Sequence, residues 1–489
     1  MTTPYRRTRI ATALAGLALA LGAGPALGAG FALQENSGSG LGNAFAGGAA
    51  VAEDASTVWA NPAGMSRIPT MQAAGAIHLI NVSMKFSNGA SLPAGCYPPA
   101  CNPAVLQPLG GDGGDAGSLN VVPNMFGVFP INKEWAFGIG LNAPFGLVTE
   151  YDTSWLGRFQ GVKSDIKTMN INPALSWKPV ENFSIGAGAN YQQIKATLTK
   201  QANYSAALLE AAVKAGIAPG SSTWNAIAQS TRGLESAVDV TGDDWAWGWN
   251  IGVLWDIDKN NRIGAHYRSS IKYNVTGNVT FCNPGQPGCQ PFPAVPPSLA
   301  PTVGALAAAV NAGGAYNGSV ASDIELPEIV NVSYFGKLND RWDLMADIQY
   351  TGWDKIQDLT FTRTSGPASG TVLASTPEKW KNVWRYSVGT NYHHSDQWTF
   401  RGGVAYDETP VSDEYRTPRL PDGSRIWLAA GAQYKMNRQW VFDAGIAYGW
   451  ANNDPTIRQN DGSTAANGLI DGTYKVNFLI VSGQVTYSF

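Results

Sequence analysis

Between residues 245 and 255 the chain reads WAWGWNIGVLW, and this one stretch restricts the fold sharply. Side chains alternate across a β-strand, so residues two apart share a face. Trp245, Trp247, Trp249, Ile251, Val253 and Trp255 therefore lie on one side, and Asp244, Ala246, Gly248, Asn250 and Gly252 on the other. The same ladder recurs as Trp342, Leu344, Ala346, Ile348 and Tyr350 against Asp343, Asp347 and Gln349. A third copy sets Trp384, Tyr386, Val388 and Tyr392 against Arg385, Ser387 and Asn391. A soluble sandwich also alternates, but it rarely places this many aromatic rings on its apolar side. One face is suited to lipid and the other to a polar or crowded interior.

The amino terminus points the same way. Arg6, Arg7 and Arg9 precede an apolar run from Ile10 to Leu21 and small residues at Ala26 and Gly28, the pattern of a secretory signal peptide over residues 1–28, cut before Ala29. No later window reaches the roughly 18 consecutive apolar residues that a membrane helix needs. An exported chain that spans a membrane without such helices must close its strands into a barrel, because only helices and closed sheets satisfy their backbone groups in lipid. Composition agrees: 14% of residues are charged, 11% are aromatic, and Gly numbers 56 and Trp 17. A net charge of −3 gives no reason to expect a nucleic-acid partner.

Period-2 segments begin at residue 70. The expected strands run over 70–86, 118–130, 134–148, 165–178, 182–201, 239–257, 261–280, 319–337, 341–363, 379–394, 397–410, 423–436, 439–450 and 474–489. That is an all-β, fourteen-stranded antiparallel transmembrane barrel over residues 70–489. Short connections (INKE, PVE, DKNN, LND, SD, NR) alternate with long ones, as in outer-membrane barrels with periplasmic turns and extracellular loops. Trp135, Trp342, Trp398 and Trp440 follow directly on short turns, where an interfacial aromatic girdle belongs. The chain ends VSGQVTYSF, with Val481, Val485, Tyr487 and Phe489 on one parity. This resembles the terminal strand that bacterial barrel-assembly machinery reads, with Phe489 the residue it would engage.

Two long loops carry helical patterns. Residues 202–238 contain Leu208 and Leu209 in SAALLEAAVKAGI, and residues 281–318 contain Leu306 in an Ala-rich run. Either these helices pack together as a cap or they leave a groove for an apolar ligand, since large exposed apolar patches mark binding. The four cysteines form two close pairs, Cys96 with Cys101 and Cys282 with Cys289; three pairings are open, and the local one is expected because short loops close at low entropic cost. Ahead of the first strand, residues 29–69 hold too little apolar surface for a core of their own, so they are expected inside or beneath the barrel as a hatch.

Several stretches in order resemble one family. The segment AGFALQENSGSGLGNAFAGGAAVAEDASTVWANPAGM is similar to the amino-terminal segment of the FadL-type outer-membrane transporters of long-chain fatty acids and hydrocarbons. NAPFGLVTEY with WLGRFQ, TMNINPALSWK and IELPEIVNVSYFGKLNDRWDLMADIQYTGWDKI continue the match over essentially the whole exported chain. The resemblance implies a hatch whose first residues, Phe31 among them, lie near ligand, with Asn61, Pro62 and Ala63 placed by the wall. It also implies a third strand kinked inward to leave a lateral opening. Pro144, Phe145 and Gly146 fall where that kink belongs, and proline cannot donate to a sheet ladder. Asn61-Pro62-Ala63 is then expected to fix the hatch beside Pro144 and Gly146. A larger, energised receptor is excluded, since such barrels need about 22 strands.

Machinery for catalysis is not evident: the four histidines are His78, His266, His393 and His394, the adjacent pair would point to opposite faces, and His266 is the lone lumen candidate. No cofactor or metal is implied. The inward parity mixes Arg268, Asp347, Arg385, Arg401 and Asp407 with Val476, Phe478 and Ile480, which suits an amphipathic molecule with its tail on Phe478 and Ile480 and its head on Arg385 or Arg401. Those arginines equally suit pairing with Asp347 or Asp407. The expected function is passive uptake of a hydrophobic substrate through a monomer: capture at the loop helices, binding in the lumen, lateral release at the third strand. A porin for polar solutes, an adhesin and a barrel lipid hydrolase are the alternatives. Fatty acids, alkanes and monoaromatics all suit such a pocket.

Overall fold

The computed structural model describes residues 30–94, 107–459 and 467–489. The signal peptide and the Cys96 and Cys101 pair fall outside these residues. Twenty strand segments join in one sheet. Five strands are each split in two and one short segment, Thr456–Gln459, flanks the last strand, which leaves fourteen strands.

In chain order these are β1 Gln72–Asn88, β2 Leu119–Pro130, β3 Trp135–Asn142 with Gly146–Glu150, β4 Lys163–Val180, β5 Phe183–Asn203 and β6 Glu235–Asp256. There follow β7 Asn261–Arg268 with Ile271–Phe281, β8 Gly318–Leu326 with Ile329–Lys337, β9 Trp342–Thr351 with Asp358–Arg363, and β10 Val372–Pro377 with Val383–His393. The last are β11 Trp398–Asp407, β12 Arg425–Lys435, β13 Trp440–Ala451 and β14 Ile470–Ser488. Each pairs antiparallel with its neighbour in sequence. β14 returns to β1 in register from Gln72 opposite Ser488 to Asn88 opposite Gly472, which closes the barrel.

The period-2 pattern is realised as expected. Trp247, Trp249, Ile251 and Trp255 are exposed to the membrane side while Asn250 and Leu254 between them are buried. Asp343 and Asp347 face inward between exposed Trp342, Leu344 and Ile348. Four of the short turns share one device. Asn132, Asn339 and Asn437 each accept from two following backbone amides, and Ser395 does the same before Trp398. A short polar side chain that caps its own turn lets the chain reverse within a few residues, and the girdle tryptophans Trp135, Trp342, Trp398 and Trp440 start the next strand each time.

The amino-terminal segment folds into three single-turn helices, α1 Gly38–Leu41, α2 Gly48–Val51 and α3 Thr57–Ala60, followed by a 3₁₀ turn over Pro62–Arg67. Its partners lie on strands all round the wall: Gly38 N on Gln484 of β14, Asn43 on Asn391 of β10, Ala49 N on Ser333 of β8 and Asn61 on Val253 of β6. The segment therefore occupies the lumen. In the loops, α4 Tyr204–Lys214 and α5 Ser222–Thr231 lie between β5 and β6, and α6 Ala300–Ala312 between β7 and β8. The pattern over 202–238 led to one helix; the second, α5, is short and polar on its outer side and begins at the Ser221 cap on Trp224 N.

Candidate functional site

Between β2 and β3 the wall is interrupted, and the lumen segment fills the gap. β2 and β3 pair from Pro130 opposite Ala136 to Met125 opposite Leu141, and there the ladder stops. Asn124 and Asn142 would be the next pair. Instead, β3 breaks after Asn142 and resumes at Gly146. Pro144 has no N–H to give a neighbour. On the β4 side Thr168 holds the kinked stretch, its backbone N–H donating to Phe145 O at 3.2 Å and its hydroxyl accepting from Phe145 N at 2.9 Å and donating to Phe145 O at 2.8 Å.

The side of β3 that β2 has left is taken by the lumen segment. Leu33 N donates to Pro144 O and Gly146 N to Phe31 O, both at 2.8 Å, with Ala32 and Phe145 as antiparallel partners. The two lips of the gap are each tied to the residues that follow. Asn124 on β2 donates to Glu35 O at 2.7 Å, and Asn142 on β3 donates to Asn36 Oδ1 at 2.7 Å. From Asn142 a line of amides runs along the inner wall through Asn170 and Asn190 to Asn250.

Above the break lies an aromatic cluster. The Phe31 ring packs 6.0 Å from Phe145, 4.9 Å from Trp353 and 5.8 Å from Trp380. Gly30 N reaches Asp422 in the long loop before β12, and Tyr151 on the other side of that loop bonds Pro418 O. This loop buries Val411 and Leu420 in the same apolar column that includes Trp155, Tyr474, Phe478 and Ile480. Beside the segment, a cavity of about 130 Å³ is lined by Arg268, Asp347 and Arg385 together with Phe45, Trp59 and Met345, and Pro144 also lines it.

A family model described as outer membrane protein transport protein (OMPP1/FadL/TodX) matches residues 19–489. The chain belongs to this family. It is 31% identical over 429 residues to the long-chain fatty acid transport protein of Escherichia coli (strain K12), covering 85% of this chain and 86% of that one. It is 29% identical over 427 residues to outer membrane protein P1 of Haemophilus influenzae, covering 85% and 84%. Among solved structures it resembles a Pseudomonas aeruginosa FadL homologue with TM-score 0.77 and 26% identity, over 94% of this chain and all of that one. The Ralstonia pickettii toluene transporter TbuX shares the fold at TM-score 0.57 and 18% identity, over 92% and 99%. This FadL/TodX-family chain is an outer-membrane protein.

Several expected site residues stand elsewhere than sequence reasoning placed them. Asn61, Pro62 and Ala63 are held on β4, β5 and β6 rather than beside Pro144 and Gly146. Asn61 donates to Val253 O and Ala49 O, and Ser176 and Ser184 both donate to Ala63 O. The reason is space: glycines Gly186 and Gly252 leave room there that a Cβ would fill. Residues 31–36 take the place at the break.

Arg385 and Arg401 face the lumen as expected, where both line the 130 Å³ cavity and also hold the segment. Arg385 donates to Ala44 O at 2.7 Å, and Arg401 reaches Ser39 O at 2.5 Å while pairing with Glu53 and Asp443 rather than Asp347 or Asp407. Leu208, Leu209 and Leu306 are buried against Trp224 and Ile227 in a small core among α4, α5 and α6, and Leu208 also lines a cavity of about 30 Å³ with Tyr204, Phe292 and Val310. Phe478 and Ile480 are buried lumen residues, and Phe31 sits in the aromatic cluster. Cys282 and Cys289 form a disulfide. His266 bonds Asn250, and among the described residues no group of three or more His, Cys, Asp or Glu could hold a metal ion.

Sequence reasoning missed Thr168, Asn124, Asn142 and Trp353. Each looks ordinary within a strand or loop. An asparagine on the inward parity of several successive strands was the one available signal.

Proposed function

We propose that this chain carries long-chain fatty acids, or hydrocarbons of similar length, from the cell exterior into the plane of the outer membrane, leaving sideways between β2 and β3. The observation that supports this route is the broken ladder. Beyond Met125 and Leu141 the wall is completed by a separate segment, Phe31–Leu33, and not by its own strand. Sheet closure by a separate piece of chain can be undone at the cost of a few hydrogen bonds, whereas parting two strands of a continuous barrel cannot. The buried apolar cluster that joins Val411 and Leu420 of the long loop before β12 to Phe31 offers apolar side chains suited to an acyl chain.

Long-chain substrates are favoured over monoaromatics by kinship. Relatives at about 30% identity include long-chain fatty acid transport proteins, and the toluene transporter shares the fold at lower identity. No energy source is required, since an amphipathic chain moves down its own gradient into lipid. The test is reconstitution into liposomes with a radiolabelled long-chain fatty acid, an alkane and toluene offered outside. Delivery of label into bilayer lipid, faster than into the trapped aqueous space, supports lateral exit. Label that appears first in the aqueous space overturns it and leaves exit straight through the lumen.

A further inference from the structure

Glu35 occupies a singular place in the break. Its carbonyl takes the bond from Asn124 on one lip and the next residue takes the bond from Asn142 on the other, so it sits between them. Its side chain lines a cavity of about 20 Å³ walled by Leu41, Trp427, Ala447 and Ile480 together with Arg385 and Asp407. It is 4% exposed, and one carboxyl oxygen, Oε2, meets no hydrogen-bond partner. The charged groups that face it are Arg385 of β10, Asp407 of β11 and Arg425 of β12. Arg385 is engaged with Ala44 O and Arg425 is ion-paired with Asp422. An ionised carboxylate stripped of water with one oxygen unmet is costly, and the neutral acid is far less so.

We propose that Glu35 is a proton-controlled wedge at the lateral exit: protonated, it lets residues 31–36 stay seated between β2 and β3, and ionised, it drives them out. This rests on the lateral reading above. Burial pushes the Glu35 carboxyl up from an ordinary value of 4.5 to about 7. The seated arrangement thus binds the proton more tightly than a withdrawn, hydrated one. Raising the pH from 4.5 toward 7 weakens seating by up to about tenfold per pH unit, with no further change above 7.

The test uses the full chain in lipid nanodiscs and reads amide exchange at Leu33 and Gly146, the two amides that close the break, as protection corrected for intrinsic rate. Protection in the native protein is expected to fall about tenfold or more between pH 5.5 and pH 7.5. Glu35→Gln should hold high protection at both, and Glu35→Asp, which keeps the charge, should restore the fall. A native protein with no pH dependence, or a Glu35→Gln variant with the native dependence, overturns the wedge. Uptake of an uncharged long-chain alkane is measured alongside. If protection responds to pH as expected and alkane uptake does not, the wedge stands and lateral exit fails.

Discussion

Ala32 and Phe145 face each other as antiparallel partners, one in the lumen segment and one at the break in β3. Directly opposed antiparallel residues have Cα atoms about 4.5–5.5 Å apart, within the range that a disulfide spans. The pair Ala32→Cys and Phe145→Cys should therefore oxidise and staple the segment into the wall. Uptake of long-chain fatty acid is expected to drop to background when oxidised and to return with dithiothreitol, while each single variant transports. Undiminished uptake by the stapled form, verified by mass spectrometry, would falsify lateral exit.

Thr168 supports the break with one hydroxyl that both gives and takes a bond at Phe145. Thr168→Val keeps the shape and removes both bonds, leaving an amide unpaired in a membrane wall. The expected loss is about 1–3 kcal/mol, read as a lower heat-modification midpoint in detergent, with Thr168→Ser close to native. An unchanged midpoint for Thr168→Val would mean that water or the segment takes over the Phe145 amide.

The barrel was legible because a single physical rule, lipid outside and lumen inside, is repeated along every strand. Trp247 and Asn250 declare their faces without help from the rest of the chain. The break was half legible: Pro144 announces a lost donor locally. What fills the gap is not local, since Ala32 lies more than a hundred residues from Phe145 and its small side chain carries no pattern. Arg401 was readable as inward-facing, but its choice of Glu53 and Asp443 over Asp407 depends on where the segment coils. The loop leucines were legible only as buried, for a related reason. An apolar helical face signals burial, and Leu208 finds it against Trp224 and Ile227, in a partner helix too polar to stand out.

Arg401 is almost wholly buried and joins three things at once: Ser39 O, Glu53 and Asp443. Arg401→Met leaves Asp443 buried without its cation, which typically costs about 3–5 kcal/mol. The segment should loosen first, because two of the three bonds hold it. Limited proteolysis is expected to cut within residues 30–69 in the variant and to spare the native protein, with the barrel still folded in cold detergent. Adding Asp443→Asn should recover part of the loss. Equal resistance of both proteins to protease would show that the remaining anchors, Gly38, Asn43, Ala44, Ala49 and Asn61 among them, suffice.

Leu208 and Leu209 belong to a loop core separate from the barrel interior. Replacing both with Asp buries two carboxylates among Trp224, Ile227 and Leu306 and should unfold α4, α5 and α6 locally. Protease nicking in residues 204–234 is expected, with barrel stability nearly unchanged. Reducing the Cys282–Cys289 bridge should do much less, because it closes a loop of seven residues. If the double Asp variant stays uncut, the loop core is not what holds these helices.

Gly252 supplies the sharpest test of how Asn61 is seated. A Cβ at that position would lie 2.1 Å from Asn61 Oδ1, and one at Gly186 would lie 2.4 Å from Ala63 N. The missing side chains are what allow the Asn61-Pro62-Ala63 turn to touch the wall. Gly252→Ala should push Asn61 off Val253 O and Ala49 O, exposing buried amide groups and overpacking the contact, at about 1–3 kcal/mol. Ladder bonds between β6 and its neighbours use backbone groups that the new methyl does not replace, so the barrel should assemble normally. Since residues 31–36 hold the break through different strands, fatty-acid uptake is expected to stay within about twofold of native. Entry of a small hydrophilic antibiotic should rise as the segment loosens on the β4–β6 side, since an unmet buried contact opens to water. A variant that loses fatty-acid uptake without gaining antibiotic entry would place Asn61, rather than the Phe31–Asn36 stretch, in control of the exit.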